Sequence, residues 1–387
     1  MVVCDIASIS TPETCFRGHR RESNNTLCSE CASGYAVAGG GTGECEICEP
    51  GGSTTLFVLG IVASFLIFVV LVGMKMKSKS QLKRKKEHST LKRTLVTHLQ
   101  MISIVASLNV QWPGPILAIT SFVSSTMNVA SNTRVVKCSG TFGDASFSEV
   151  FYGMYIVSAL LPTAIMFLST FYWYLIAPKH KYLACGKKIK RSSLLCLSRN
   201  PFSSKEKEQH VPIPLNKKGK WMHSSRDGWI VTNVLLIYLL YPSIVTLSFQ
   251  ILQSRSICGV EKWSLDDSVL YHGAQHRAIM YGVAVPALLV YGLIIPGLAL
   301  LYLHQHKDRQ TNQKLMFRYG LLYSGFAPSY FWWEIVIFIR KLGLILLATF
   351  ASRYTNQLHL ALGMLIVLLY LQEHFRPYHV VDGAGAN

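Results

Sequence analysis

Long apolar stretches alternate with short polar ones along the chain, and the apolar stretches exceed what buried strands or helices of a soluble domain require. A bilayer hydrocarbon core about 30 Å thick is crossed by roughly 20 apolar residues in a helix. Residues 54–74, 151–177, 229–252 and 278–303 meet that length with no Asp, Glu, Lys or Arg inside them. Residues 94–127 are long enough but are interrupted by Trp112-Pro113-Gly114-Pro115, which predicts a helix, a break and a second apolar piece. Residues 330–351 carry Glu334, Arg340 and Lys341, and residues 357–372 are shorter; both also read as spans. The pattern predicts an all-α integral membrane protein with about seven transmembrane helices. A small segment over residues 1–53 precedes them, polar loops fill 75–93 and 178–228, and a tail occupies 373–387.

Composition agrees and narrows the function classes. Of 387 residues, 50% are hydrophobic and 15% charged, against roughly 25% charged in an average soluble domain. The 38 Lys and Arg against 20 Asp and Glu give a formal charge of +18, which by itself would admit a nucleic-acid partner. Its distribution argues otherwise. Basic residues outnumber acidic ones 9 to 1 in 75–93, 13 to 3 in 178–228 and 4 to 1 in 306–329, whereas residues 1–53 hold 3 basic and 7 acidic. Excess in alternate loops is the positive-inside pattern. It places those three loops and the 373–387 tail in the cytosol, and the amino terminus outside a plasma membrane or another membrane of the secretory pathway. No solvated domain is left to form a nucleic-acid footprint. Lys83, Arg84, Lys85 and Lys86 could bind anionic lipid head groups, or serve as a topology signal alone.

Six of the ten cysteines fall at Cys4, Cys15, Cys28, Cys31, Cys45 and Cys48. Two C-x2-C pairs would suggest zinc in a cytosolic protein. Outside the cell thiols oxidise, so the expectation is a disulfide framework with no metal, its pairing open among fifteen arrangements. Few large apolar residues accompany these cysteines, so burial alone would not fold the segment. Asn24 opens a glycosylation sequon, which agrees with exposure outside. Cys138 and Cys258 lie on two other outer loops and are expected to pair.

The order of features resembles a known architecture. Cys28-Ser-Glu-Cys-Ala-Ser-Gly-Tyr35, closed by Cys45-Glu-Ile-Cys48 before a span, resembles the ephrin-receptor-like cysteine-rich modules of large protist and algal membrane proteins. In those proteins the modules precede a multi-pass bundle similar to transient-receptor-potential-like (TRP-like) channels. Thr97-His-Leu-Gln100, Tyr241-Pro242, Arg318-Tyr-Gly-Leu-Leu-Tyr323, Phe331-Trp-Trp-Glu334, Arg340-Lys341 and Arg376-Pro-Tyr378 carry the resemblance, with the Arg318–Lys341 block the most specific. It implies an ion-conducting or sensory role and supplies no established site residue. The ending at Asn387, before the further spans such proteins usually have, suggests a part of a longer protein.

Glu334, Arg340, Lys341 and His98 are the candidate intramembrane polar residues, because a charge inside a bilayer needs a partner, water or a neighbouring helix. Seven residues put Glu334 and Lys341 on nearly one helix face but about 10 Å apart, too far to pair directly. They form either a gating or permeation element, or a structural set in which Glu334 lies at the interface and caps or pairs with Arg318 or another loop cation, while Arg340 and Lys341 snorkel or mark a shifted span boundary. His98 is either proton-sensing or hydrogen-bonded between helices. The aromatic runs at 171–174 and 330–333 read as an interfacial belt. No Walker loop, His-Glu-x-x-His motif or nucleophile elbow occurs, so neither an enzyme nor a cofactor is expected. The leading expectation is an ion-channel or transport subunit, with homo-oligomers a candidate assembly. The alternatives are a seven-helix receptor that binds a ligand through its cysteine-rich segment, or a fragment without independent activity.

Overall fold

The computed structural model describes residues 31–32, 35–37, 45–48, 68–70, 72, 84–106, 113, 146–176, 224–257, 259–306, 313–323, 326–351 and 354–378. Within them the chain is mostly helical. The helices are α1 (Arg84–Ala106), α2 (Phe147–Phe171, continued by a π-helical turn Tyr172–Ile176), α3 (Ser225–Ile251), α4 (Ala274–Gln305), α5 (Gln313–Tyr323), α6 (Trp333–Phe350) and α7 (Tyr354–Phe375).

Local sequence explains several boundaries. Ser146 and Glu149 form a reciprocal capping box that starts α2, and at the start of α3 the Asp227 carboxylate accepts from the Ser224 N–H. In α4, π-helical turns at Met280–Ala284 and Leu288–Ile294 immediately precede Pro286 and Pro296. A proline ring clashes with the carbonyl four residues earlier and offers no N–H to it, and widening the turn relieves both problems.

Three expectations need correction. Helix α1 starts at Arg84, so ten residues of the expected 75–93 loop, Arg84, Lys85 and Lys86 among them, are helical. Its Lys, Arg and Glu are good helix formers, and neither Gly nor Pro occurs between Arg84 and Ala106. Helix α5 occupies part of the expected 306–329 loop, with Leu315, Tyr319 and Leu322 recurring on one face. The fold is also not purely α. A hairpin of β1 (Tyr35–Val37) and β2 (Cys45–Ile47) lies near the amino terminus. A three-stranded antiparallel sheet of β3 (Ser254–Ile257), β4 (Val260–Trp263) and β5 (Asp266–Leu270) replaces the expected loop between α3 and α4. Ile257 pairs with Val260, and Gly259 before it takes φ 79°, a left-handed conformation that tight hairpin connections favour.

Helix α3 is the axis of the bundle, packing on α2, α4, α5 and α6. Its Tyr241, Ile244 and Val245 share one buried cluster with Ile104, Tyr291, Leu344 and Ile345. The sheet is anchored through the fully buried Trp263, whose ring lies 5.1 Å from Phe151 and 5.2 Å from Tyr152. Helix α7 packs on α6 and exposes Leu358, Leu362, Ile366 and Leu369.

Among the described residues four helices are long and apolar enough to cross a membrane: Phe147–Leu175, Ser225–Ile251, Ala274–Gln305 and Asn356–Phe375. Helix α6 is eighteen residues long and carries three charged side chains. Most of the expected 54–74 span, and the break after α1 apart from Pro113, lie outside the described residues.

Candidate functional site

Lys341 stands midway along α6 and is fully buried. Its Nζ donates to Gln100 Oε1 of α1 at 2.7 Å. The same ammonium lies 5.0 Å from the ring centroid of Tyr238 and 5.4 Å from that of Tyr241, both on α3. Aromatic faces attract cations through their quadrupoles, so three helices converge on one charge. Of the alternatives for Lys341, snorkelling does not occur: the side chain turns into the bundle, where Gln100 and the two rings receive it.

Gln100 has a second task. Pro242 has no N–H for the carbonyl of Tyr238, four residues earlier in α3. Gln100 Nε2 donates to that carbonyl at 3.0 Å and to Leu239 O at 3.2 Å. Thr97, one turn earlier, shares a 2.8 Å hydrogen bond with the Tyr238 hydroxyl. Pro242, the glutamine and the lysine are thus joined in one hydrogen-bonded set between α1, α3 and α6.

Tyr238 and Tyr241 are also a wall. On another side they line a cavity of about 330 Å³ between α3, α4, α5 and α6, together with Tyr291, Tyr319, Phe338 and Glu334. Glu334 is the carboxylate among those lining residues, and both it and Arg340 lie within electrostatic range of the Tyr241 hydroxyl. Arg340 is half-buried, and its Nε makes no hydrogen bond among the described residues.

Arg318 has a different carboxylate from the one expected. Its Nε donates to Asp227 Oδ1 at 2.6 Å, with a second guanidinium nitrogen 2.5 Å from the same oxygen. Asp227 is 2% exposed, and its Oδ2 accepts from Ser224 N at 3.0 Å. One carboxylate therefore caps α3 and ties α5 to it. The Ser224-x-x-Asp227 spacing was the available signal, hidden because Asp227 counts as one more charge in a basic stretch.

Other expected residues fall elsewhere. His98 sits on the exposed side of α1, between the buried Thr97 and Gln100, and not between helices. Phe171, Tyr172 and Tyr174 of the expected aromatic belt are exposed, whereas two tryptophans of these runs turn inward. Trp173 donates to Thr232 Oγ1 at 3.0 Å and covers Gly228, and Trp333, 4% exposed, packs with Phe326 and Ile337. Cys31 is disulfide-bonded to Cys45, with their Cα atoms 5.6 Å apart, and Cys48 is disulfide-bonded as well. This pair crosses the two C-x2-C motifs. Cys4, Cys15, Cys28, Cys138, Cys258, Asn24 and Lys83 lie outside the described residues.

No family model matches the chain, and no solved structure matches it. The chain is similar to a curated protein of Toxoplasma gondii, cysteine repeat modular protein A, at 22% identity over 390 residues. The match covers 90% of this chain and 12% of that protein's length.

Proposed function

We propose that the chain forms a membrane-embedded module of channel or transport type, in which the buried Lys341 links α1, α3 and α6. The carrying observation is the enclosure of its ammonium between Gln100, Tyr238 and Tyr241. A hydrophobic side chain would fill that space without the cost of burying an ion, which is several kcal/mol even after relaxation. Retaining the ion favours a task that uses charge, such as stabilising one of two helix arrangements or meeting a permeating anion. The adjoining cavity, with Glu334 on its wall, gives α6 room to shift against α4 and α5.

On this reading the protein lies in a plasma membrane or another secretory-pathway membrane with its amino terminus outside, as the loop charges favour. It acts as a homo-oligomer whose copies meet through apolar helix faces such as that of α7, and it needs no cofactor. The test is ion flux and current from the purified protein in liposomes, beside Lys341→Met folded to the same extent. Flux that Lys341→Met alters supports the proposal. Absence of flux from the parent protein, or identical flux from both, rejects it.

A receptor is the second reading, favoured by the disulfide-held hairpin of β1 and β2 and by the likeness to a protein named for cysteine repeats. It predicts that a ligand binds residues 1–53 and changes the conformation of the helices without flux.

A further inference from the structure

The junction between the sheet and the helices contains a group that the proposed function does not use. His276, in the first turn of α4, is 1% exposed. Its Nδ1 lies 2.6 Å from the Tyr152 hydroxyl of α2, and its ring centroid lies 5.5 Å from Trp263 and 5.3 Å from Tyr271. The backbone of Ile251 at the end of α3 lies within interaction range of the ring, and Nε2 meets no partner in normal hydrogen-bond geometry among the described residues. One imidazole thus touches α2, α4, the end of α3 and the sheet.

We propose that His276 is a pH-sensitive latch that holds the β3–β5 sheet on the helical bundle while it is neutral and releases the sheet when it takes up a proton. In the neutral ring one nitrogen accepts and the other donates, and the Tyr152 hydroxyl can donate to Nδ1. Protonation makes both nitrogens donors. Tyr152 must then accept from Nδ1, and its own O–H needs a new acceptor. Asp266 of β5 lies within electrostatic range of that hydroxyl, although its Oδ1 already accepts from Ser268 N at 3.0 Å and Ser268 Oγ at 2.6 Å.

The charges around the latch favour opening. His272 acts on His276 electrostatically and is itself paired with Glu261 of β4 at 2.9 Å. Arg255 and Asp267 are paired with each other across the sheet. No carboxylate hydrogen-bonds to His276 among the described residues, so an imidazolium there would have only neutral acceptors, the Tyr152 hydroxyl and the Ile251 backbone, and tilted aromatic rings. Their attraction is weaker than the cost of enclosing an unpaired charge. The neutral ring fits the junction and the protonated ring lacks a charged partner there, so docking is expected to hold at neutral pH and to weaken as the ring takes up a proton at lower pH.

The test uses the full chain in lipid nanodiscs. Amide hydrogen exchange of residues 254–271, corrected for intrinsic rates, is followed from about pH 7.5 to about pH 5. In the parent protein, protection is expected to fall by about tenfold per pH unit beyond the midpoint. His276→Gln keeps a donor and an acceptor but does not titrate, and its protection should stay level. Equal pH profiles for both proteins overturn the proposal. If His276→Gln does not fold, exchange at the imidazole C2–H gives the titration midpoint of His276 in the parent protein. Loss of sheet protection at that midpoint supports the latch, and protection unchanged through it overturns the latch.

Discussion

Lys341 on α6 and Gln100 on α1 lie 241 positions apart in the chain and meet at 2.7 Å in the interior. Because Gln100 also supplies the hydrogen bond that Pro242 denies to the Tyr238 carbonyl, replacing it strands two groups at once. Gln100→Leu is expected to destabilise the bundle by about 2–4 kcal/mol, the sum of a charge-assisted bond and a neutral one. Pro242→Ala restores an N–H to α3, so the same replacement in that background should cost about 1 kcal/mol less. A double-mutant cycle from thermal unfolding in detergent measures the difference, and strict additivity would show that proline and glutamine are uncoupled.

The ion pair of Arg318 and Asp227 yields a second expectation. Asp227→Asn keeps a capping oxygen but leaves the guanidinium facing a neutral amide, while Arg318→Lys keeps the charge and loses the planar fork. With Asp227 at 2% exposure, solvent screens the pair poorly, so loss of the carboxylate should cost about 3 kcal/mol or more. Arg318→Lys should cost less, and the pairing should resist salt. Unfolding at low and high ionic strength checks both; losses that vanish in salt would mean a solvated contact.

These two sites mark what the sequence discloses. Glu334, Arg340 and Lys341 were visible as charges in an apolar stretch, because one helix suffices to make a charge conspicuous. Their surroundings were not: Gln100 and Asp227 are ordinary polar residues until the packing of three helices makes them partners. Thr97, Gln100 and Tyr241-Pro242 stood out only through resemblance, and the proline-to-glutamine compensation that joins them requires α1 beside α3. The expected spans overlap α2, α3 and α4, since twenty-odd apolar residues leave little choice of structure. The sheet over 254–270 was missed for the opposite reason, as its strands are four or five residues long with weak alternation and are held mainly by Trp263.

At the amino terminus, Cys45→Ser should free Cys31 and lower the stability of the β1–β2 hairpin. The crosslinked residues are 14 apart, and closing a loop near that length contributes about 3 kcal/mol in the chain-entropy account. Non-reducing peptide mapping should recover a Cys31–Cys45 linked peptide. Recovery of a Cys28–Cys31 or Cys45–Cys48 peptide in its place would contradict the crossed pairing.

Two glycines at helix contacts should respond in opposite degrees. A Cβ on Gly228 of α3 would lie 2.6 Å from two atoms of the Trp173 ring. That ring is held by its hydrogen bond to Thr232 and cannot retreat without breaking it. Gly228→Ala should therefore destabilise by about 1–3 kcal/mol, the usual range for overpacking, despite the better helix propensity of alanine. A Cβ on Gly343 of α6 would meet Met364 Sδ of α7 at 2.8 Å, but a thioether on three rotatable bonds can move aside. Gly343→Ala should be close to neutral, or stabilising by up to about 1 kcal/mol through propensity. Combining Gly228→Ala with Trp173→Leu should recover most of the loss, because the smaller side chain clears the space. Thermal unfolding of the three variants separates rigid from yielding contacts, and equal losses for the two alanine variants would refute the distinction.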